Sequence, residues 1–258
     1  MHRVAAPVVS RAELRPGLYL MEVRAAEIAA AAQPGQFVMA HCGESSYDPL
    51  LRRPLSIHWV NDELIALLFN VVGRGTHWLS QRSAGEYLDL IGPLGKGFTI
   101  YPDSRNLLLV AGGIGIAPLL FLAEAATSQR KSVTLLLGAQ TAAHIYSPVM
   151  LPPQLSFIPV TEDGSMGAKG LVTDLVPKLV AHADQLFACG PLPMYRTMAS
   201  QAQLKDKPVQ ISLETRMGCG MGICYGCSVK TNSGMKQVCK DGPVFELRDI
   251  TWDKIRDI

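Results

Sequence analysis

Asn106-Leu-Leu-Leu-Val-Ala-Gly-Gly-Ile-Gly-Ile-Ala-Pro-Leu-Leu-Phe-Leu-Ala-Glu-Ala125 changes character twice within a short span. Leu107 to Ala111 is an unbroken apolar run with no polar face, as in a strand covered on both sides in a parallel sheet. Gly112, Gly113 and Gly115 then turn the chain, and apolar residues at helical spacing follow. Strand, glycine turn and helix in that order open an α/β domain. The run from Gly113 to Pro118 matches the dinucleotide pattern G-x-G-x-x-G with proline in the third glycine's place. Proline in a helix's first turn costs little, because its missing N–H has no partner there. Taken alone, the degenerate pattern is also that of a plain tight turn.

Downstream, Val133–Gly138, Leu155–Val160 and Gln185–Ala188 read as further strands, with helical patterns over Val172–Leu179 and Leu192–Gln203. This alternation predicts a parallel sheet with right-handed crossovers, whose ligands sit at the carboxyl ends of the strands. Three features fall at those ends: Gly112, Gly113 and Gly115; Glu162 and Asp163 in a polar loop; and Cys189-Gly190-Pro191 before the last helix. No Lys or Arg stands in Gly138-Ala-Gln-Thr after the second strand, so a 2′-phosphate has no evident partner and NADH is expected over NADPH. Cys189 is either a small buried hydrophobe or a polarisable neighbour of a nicotinamide ring, and its position favours the second. Cys42 has no such context and reads as structural.

Upstream, Leu18–Val23, Gln36–Ala40, Leu55–Val60, Leu64–Val72 and Tyr87–Ile91 are short apolar runs cut by turn residues, the signature of a small antiparallel barrel. Asn61-Asp62 is expected to make a hairpin turn, since both residues tolerate left-handed backbone. Arg52-Arg53-Pro54-Leu55-Ser56 sets two guanidinium groups and a hydroxyl on one strand, which suits either a pyrophosphate clamp or a solvated edge. Gly73-Arg-Gly75-Thr76 opens a helix about twenty residues later and is a second anion-suited turn. Two such sites suggest one dinucleotide.

Beyond the α/β segment, Cys219, Cys224 and Cys227, followed by Cys239, give C-x4-C-x2-C…C, the spacing of a plant-type [2Fe–2S] centre. Gly218, Gly220, Gly222 and Gly226 allow a loop to curl around it and aim amides at sulfur. Structural zinc sites more often pair two C-x2-C knuckles, and a disulfide framework suits a small secreted domain without a core. Met217, Met221, Ile223 and Tyr225 form either an apolar docking rim or packing over the cluster.

The chain has 258 residues, 48% of them hydrophobic, enough for two compact domains and an appendage. Lys plus Arg number 24 against 22 for Asp plus Glu, with no basic block, so nothing points to nucleic acid. The sequence shows no secretory h-region and no run long enough for a membrane span, and a cytoplasmic location is expected.

The order Arg-Pro-Leu-Ser, Gly-x-Gly-Thr, Gly-Gly-Ile-Gly-Ile-Ala-Pro, Cys-Gly-Pro and a four-cysteine hook resembles the ferredoxin-NADP reductase superfamily over nearly the whole chain. The closing Cys239-Lys-Asp-Gly-Pro-Val-Phe is similar to the electron-transfer subunits of two-subunit, NAD-dependent dihydroorotate dehydrogenases. The resemblance implies an antiparallel FAD barrel over 1–101, a parallel-sheet NAD domain over 102–210 and a small [2Fe–2S] domain over 211–258. It also implies FAD on Arg53, Pro54, Leu55, Ser56, Leu68, Phe69, Asn70, Gly75 and Thr76, and NAD(H) on Gly112, Gly113, Gly115, Pro118, Glu162, Asp163, Cys189, Gly190 and Pro191. The implied cluster ligands are Cys219, Cys224, Cys227 and Cys239. A catalytic dihydroorotate dehydrogenase flavoprotein is the implied partner, in a heterotetramer of two copies of each subunit. The superfamily often carries an aromatic residue where Leu55 stands, and relatives of this subunit often carry a basic one at Asn70. Cousins serving hydrogenases or ferredoxin:NADP bifurcating complexes share these motifs, and a redox-sensing or zinc-binding module is the non-enzymatic alternative.

Overall fold

The computed structural model describes residues 1–43 and 49–255. In chain order the first part comprises β1 (His2–Arg15), β2 (Leu18–Arg24), α1 (Ala26–Ala31), β3 (Phe37–Ala40), β4 (Arg53–Asn61), β5 (Leu64–Asn70), α2 (Arg74–Ser80) and β6 (Tyr87–Leu94). Its strands close an antiparallel barrel in the order β1-β2-β5-β4-β3-β6. Alternation sets the inside: Leu55 and Ile57 of β4 point into the barrel core with Leu67 and Phe69 of β5. Asn61 pairs with Leu64, so the hairpin loop is Asp62-Glu63, one residue later than expected. Asp62 carries the left-handed φ of 50°. The sequence reading missed β1, whose charged residues dilute the apolar signal. Pairing with β2 on one side and β6 on the other holds it in place.

The second part comprises β7 (Asn106–Gly112), α3 (Ile116–Ser128), β8 (Ser132–Ala139), β9 (Ser156–Thr161), β10 (Ala168–Lys169), α4 (Val172–Leu179), β11 (Gln185–Cys189), α5 (Leu192–Ser200) and β12 (Val209–Ser212). These strands run parallel in the order β10-β9-β8-β7-β11-β12. β7 is central, and it is apolar from Leu107 to Ala111 because both its faces are covered there, by α3 on one side and by α4 on the other. α3 also packs against the outer face of the barrel, where Leu18, Leu68 and Trp59 join Leu119 and Leu120 in one apolar cluster.

The C-terminal part holds a hairpin of β13 (Ser228–Thr231) and β14 (Gly234–Gln237), the short α6 (Val238–Asp241) and β15 (Val244–Glu246). β15 pairs antiparallel with β12 and extends the parallel sheet by one edge strand. β12 itself runs across the expected 210/211 boundary. The C-terminal part is fastened to the barrel as well: the Lys96 amide donates to the Gly242 carbonyl at 2.6 Å. Gly220 lies against Met39 of β3 so closely that a Cβ there would collide with it.

Candidate functional site

The loop before β13 curls back on itself through left-handed backbone at Gly220, Gly222 and Tyr225. That curl turns the amides of Met221, Ile223 and Cys224 toward Cys219 Sγ at 3.3–3.5 Å. The Gly222 amide donates to Cys239 Sγ at 3.2 Å, and the Cys239 amide to Cys227 Sγ at 3.4 Å. The β13–β14 register brings Cys227 beside Cys239, with their sulfurs 3.3 Å apart, and Cys224 pairs with Cys219. Burial pushes the Cys219 thiol up, but the three amides outweigh it and hold the group down at about 6. Burial and the neighbouring Cys227 thiol push Cys239 up to about 12. Two cysteine pairs surrounded by aimed amides fit a binuclear cluster in which each iron takes two thiolates. No three His, Cys, Asp or Glu side chains converge on a single-ion point among the described residues. Of the apolar rim, Met217 is buried and Met221 half-buried, whereas Ile223 and Tyr225 are 71% and 69% exposed beside the exposed Cys224.

On the barrel, the two adjacent arginines have different tasks. Arg52 donates to the carbonyl of Asp89 at 2.7 Å and pairs with its carboxylate, which Arg3 also holds, at 2.9 Å. Burial raises the Asp89 carboxyl, yet these two guanidinium groups bring it down to about 2. Arg52 is therefore a barrel clasp. Arg53 instead lies against α2: a Cβ on Gly75 would sit 2.8 Å from Arg53 Nε, so glycine is what lets the two segments meet. The Thr76 hydroxyl accepts from the amides of Val72 and Gly73 at 2.9 and 3.2 Å and fixes the turn. Pro54 and Ser56 are half-buried on the face opposite the core. Leu55 and Phe69 point inside the barrel, and Leu68 packs between the barrel and α3. Of the β5 residues expected at the site, only Asn70 reaches the cleft between the two parts.

That cleft, of about 490 Å³, runs along the carboxyl ends of β7, β8, β9 and β11. Gly112 and Gly190 meet there: a Cβ on Gly112 would come within 2.7 Å of Pro191, and one on Gly190 would come within 3.1 Å of the Gly112 Cα. Gly113, with φ of 55°, has open space beside it, whereas Gly115 is pressed against the Cys189 carbonyl. Gly115 is thus required by the close approach of β11. Pro118 is buried in the first turn of α3 and does not line the cleft. Glu162 faces the cleft. Asp163 is turned aside, accepting from the Ser165 amide and hydroxyl at 3.0 and 2.6 Å. Cys189 is fully buried beneath the floor, and burial holds its thiol well above the ordinary range.

Three ionisable cleft residues escaped the sequence reading. Arg15 ends β1 and contributes a buried Nε that has no acceptor among the described residues, a donor that fits an anionic ligand. His144 follows β8. Glu214 stands two residues past β12, lines the cleft, and has its carboxyl raised by desolvation. The position of Glu214 just after a buried strand was the available signal; Arg15 had none once β1 was overlooked.

The segment from 214 to 251 matches the family model of the iron-sulfur cluster binding domain of dihydroorotate dehydrogenase B. A dihydroorotate dehydrogenase B (NAD(+)) electron transfer subunit of Desulforamulus reducens is 40% identical over 250 residues, covering 92% of this chain and 94% of its own. The subunit of the same name from Bacillus caldolyticus is 39% identical over 225 residues, covering 84% and 86%. Among solved structures, a chain of an NADH-dependent reduced ferredoxin-NADP oxidoreductase superposes with a TM-score of 0.86 at 30% identity, over 97% of this chain and 91% of that one. A ferredoxin reductase of carbazole 1,9a-dioxygenase shares the fold, with a TM-score of 0.70 at 22% identity over 81% and 68% of the two chains.

Proposed function

The chain belongs to the family of dihydroorotate dehydrogenase B electron-transfer subunits, and on that premise we propose how its residues carry electrons between NAD(H) and a catalytic partner. The observation that carries the proposal is continuity. A single cleft is lined by Arg15 and Asn70 of the barrel and by Gly113 and Gly190 of the α/β part, while the cysteine loop rests on barrel strand β3.

Arg53, with Ser56, Gly75 and Thr76, holds the FAD pyrophosphate, since a guanidinium fork and a glycine-lined turn are matched to phosphate oxygens. Pro54 and Asn70 border the flavin, Phe69 and Leu55 keep the barrel wall rigid behind it, and Leu68 seals the boundary with α3. The turn at Gly112, Gly113 and Gly115 and the facing Gly190-Pro191 seat NAD(H), with Pro118 and Cys189 supporting them from beneath. Glu162 binds a ribose hydroxyl, and Asp163 shapes its loop. Cys219, Cys224, Cys227 and Cys239 ligate the [2Fe–2S] cluster. Bound FAD and cluster supply the redox chemistry, the one exchanging a hydride and the other single electrons. The protein's own contribution is to align, to exclude water and to fix distances, which needs no catalytic triad. Glu214 offers a carboxylate on the wall of the same cleft.

Exposed Ile223 and Tyr225 beside Cys224 suit docking of the catalytic dihydroorotate dehydrogenase flavoprotein, in a heterotetramer of two copies of each subunit working in the cytoplasm. No helix among the described residues is long and apolar enough to cross a membrane. The test is co-purification with that catalytic subunit followed by an assay of NAD+ reduction. Dihydroorotate-dependent formation of NADH by the pair, absent from either chain alone, is expected. A chain that fails to bind the catalytic subunit but passes electrons from NADH to ferredoxin or NADP would move it to the bifurcating reading.

A further inference from the structure

His58 is completely buried on β4, two residues past Ser56. Its Nδ1 lies 2.8 Å from the carbonyl oxygen of Ala117, in the first turn of α3. Its Nε2 lies 3.1 Å from the hydroxyl of Tyr146. A carbonyl only accepts, so Nδ1 bears the proton and donates, and Nε2 accepts from the tyrosine O–H. Both ring nitrogens are satisfied by a neutral imidazole, and burial keeps the ring neutral by lowering it to about 4.

A satisfied histidine in a core is ordinary, but the three segments joined here are not. β4 carries Arg53 and Ser56. Ala117 directly follows the turn at Gly113–Gly115 that lines the cleft. Tyr146 closes the segment whose Gln140 and His144 line the same cleft. Around this junction the barrel and α3 meet through aliphatic side chains such as Leu18, Leu68 and Leu119. Apolar contact is non-directional and tolerates sliding, whereas hydrogen bonds lose strength steeply when bent or stretched.

We infer that His58 is a positioning residue for hydride transfer, setting the offset between the flavin-bearing strand β4 and the nucleotide-bearing turn before α3. The inference rests on the assignment of β4 to FAD and of the cleft to NAD(H). A shift of about 1 Å between reacting groups can cost roughly a hundredfold in rate, and directional bonds resist such a shift more steeply than non-directional apolar contact does.

The test is the anaerobic rate of flavin bleaching by NADH in the intact, cofactor-loaded chain, measured across NADH concentrations for wild type, His58→Leu, His58→Asn and Tyr146→Phe. His58→Leu should keep FAD, iron and its half-saturating NADH concentration within about twofold, while its limiting rate falls roughly tenfold to a hundredfold. Asparagine can place a donor where Nδ1 stands and should restore most of that rate. Tyr146→Phe removes one of the two bonds and should slow the reaction by a smaller factor. It carries the test if the leucine variant does not fold. A limiting rate in His58→Leu within twofold of wild type overturns the inference. So does a slow His58→Asn no better than leucine, or an unslowed Tyr146→Phe should leucine fail to fold. Wild-type protein that retains flavin but is not bleached by NADH overturns instead the functional assignment beneath it.

Discussion

Arg52 and Arg53 are neighbours of one chemistry, and sequence offers no way to divide their work, because the partner that claims Arg52 is Asp89, 37 positions away. Only barrel closure brings that carboxylate to hand. Arg53→Ala should raise the dissociation constant for FAD roughly tenfold or more, about 1.4 kcal/mol, through loss of a charge-assisted contact. Arg52→Ala should instead lower the melting temperature with a smaller effect on flavin. Equilibrium dialysis and thermal unfolding of the two variants distinguish these outcomes, and full flavin affinity in Arg53→Ala would misplace the clamp. The cysteines were legible because their spacing is local. Arg15 and Glu214 were not, since each gains its place in the cleft from strands that pair over long separations.

Among elements, β7 with its glycine turn and α3 was readable because one stretch contains all the information: apolar run, punctuation, helical period. α4 likewise falls where the pattern placed it. β1 was invisible for the opposite reason, its apolar residues being interrupted by exposed positions and by Arg3, Arg11, Glu13 and Arg15, and the short β12 and β15 draw their order from each other and from β11. The turn after β7 also illustrates a glycine whose reason differs from the expected one. Gly115 faces the Cys189 carbonyl rather than open space, and a backbone carbonyl in a central strand cannot retreat. Gly115→Ala should therefore splay β11 from the turn, at a cost of about 1–3 kcal/mol, and raise the half-saturating NADH concentration roughly tenfold. FAD and iron should stay in place. Steady-state NADH titration with cofactor analysis checks this, and an alanine variant with wild-type NADH affinity would show that the turn is not part of the nucleotide seat.

At the scale of the whole molecule, the cysteine loop is fastened to both other parts. β15 completes the sheet, the Lys96 amide holds Gly242, and Gly220 abuts Met39. A module tied at two places to a barrel that itself shares an apolar boundary with α3, and at a third to the sheet, keeps fixed distances, which is what passage of electrons from one cofactor to the next requires. The barrel, parallel sheet and cysteine hook were all foreseeable from sequence, but their stitching was not, because every tie joins segments far apart in the chain. The most direct test is an anaerobic visible spectrum of the purified chain, with iron and acid-labile sulfide assays, before and after addition of NADH. Flavin bands and a broad iron-sulfur shoulder, about two irons and two sulfides per chain, both bleached by NADH, are the predicted result. A colourless zinc protein, or a flavin that NADH leaves oxidised, would contradict the account.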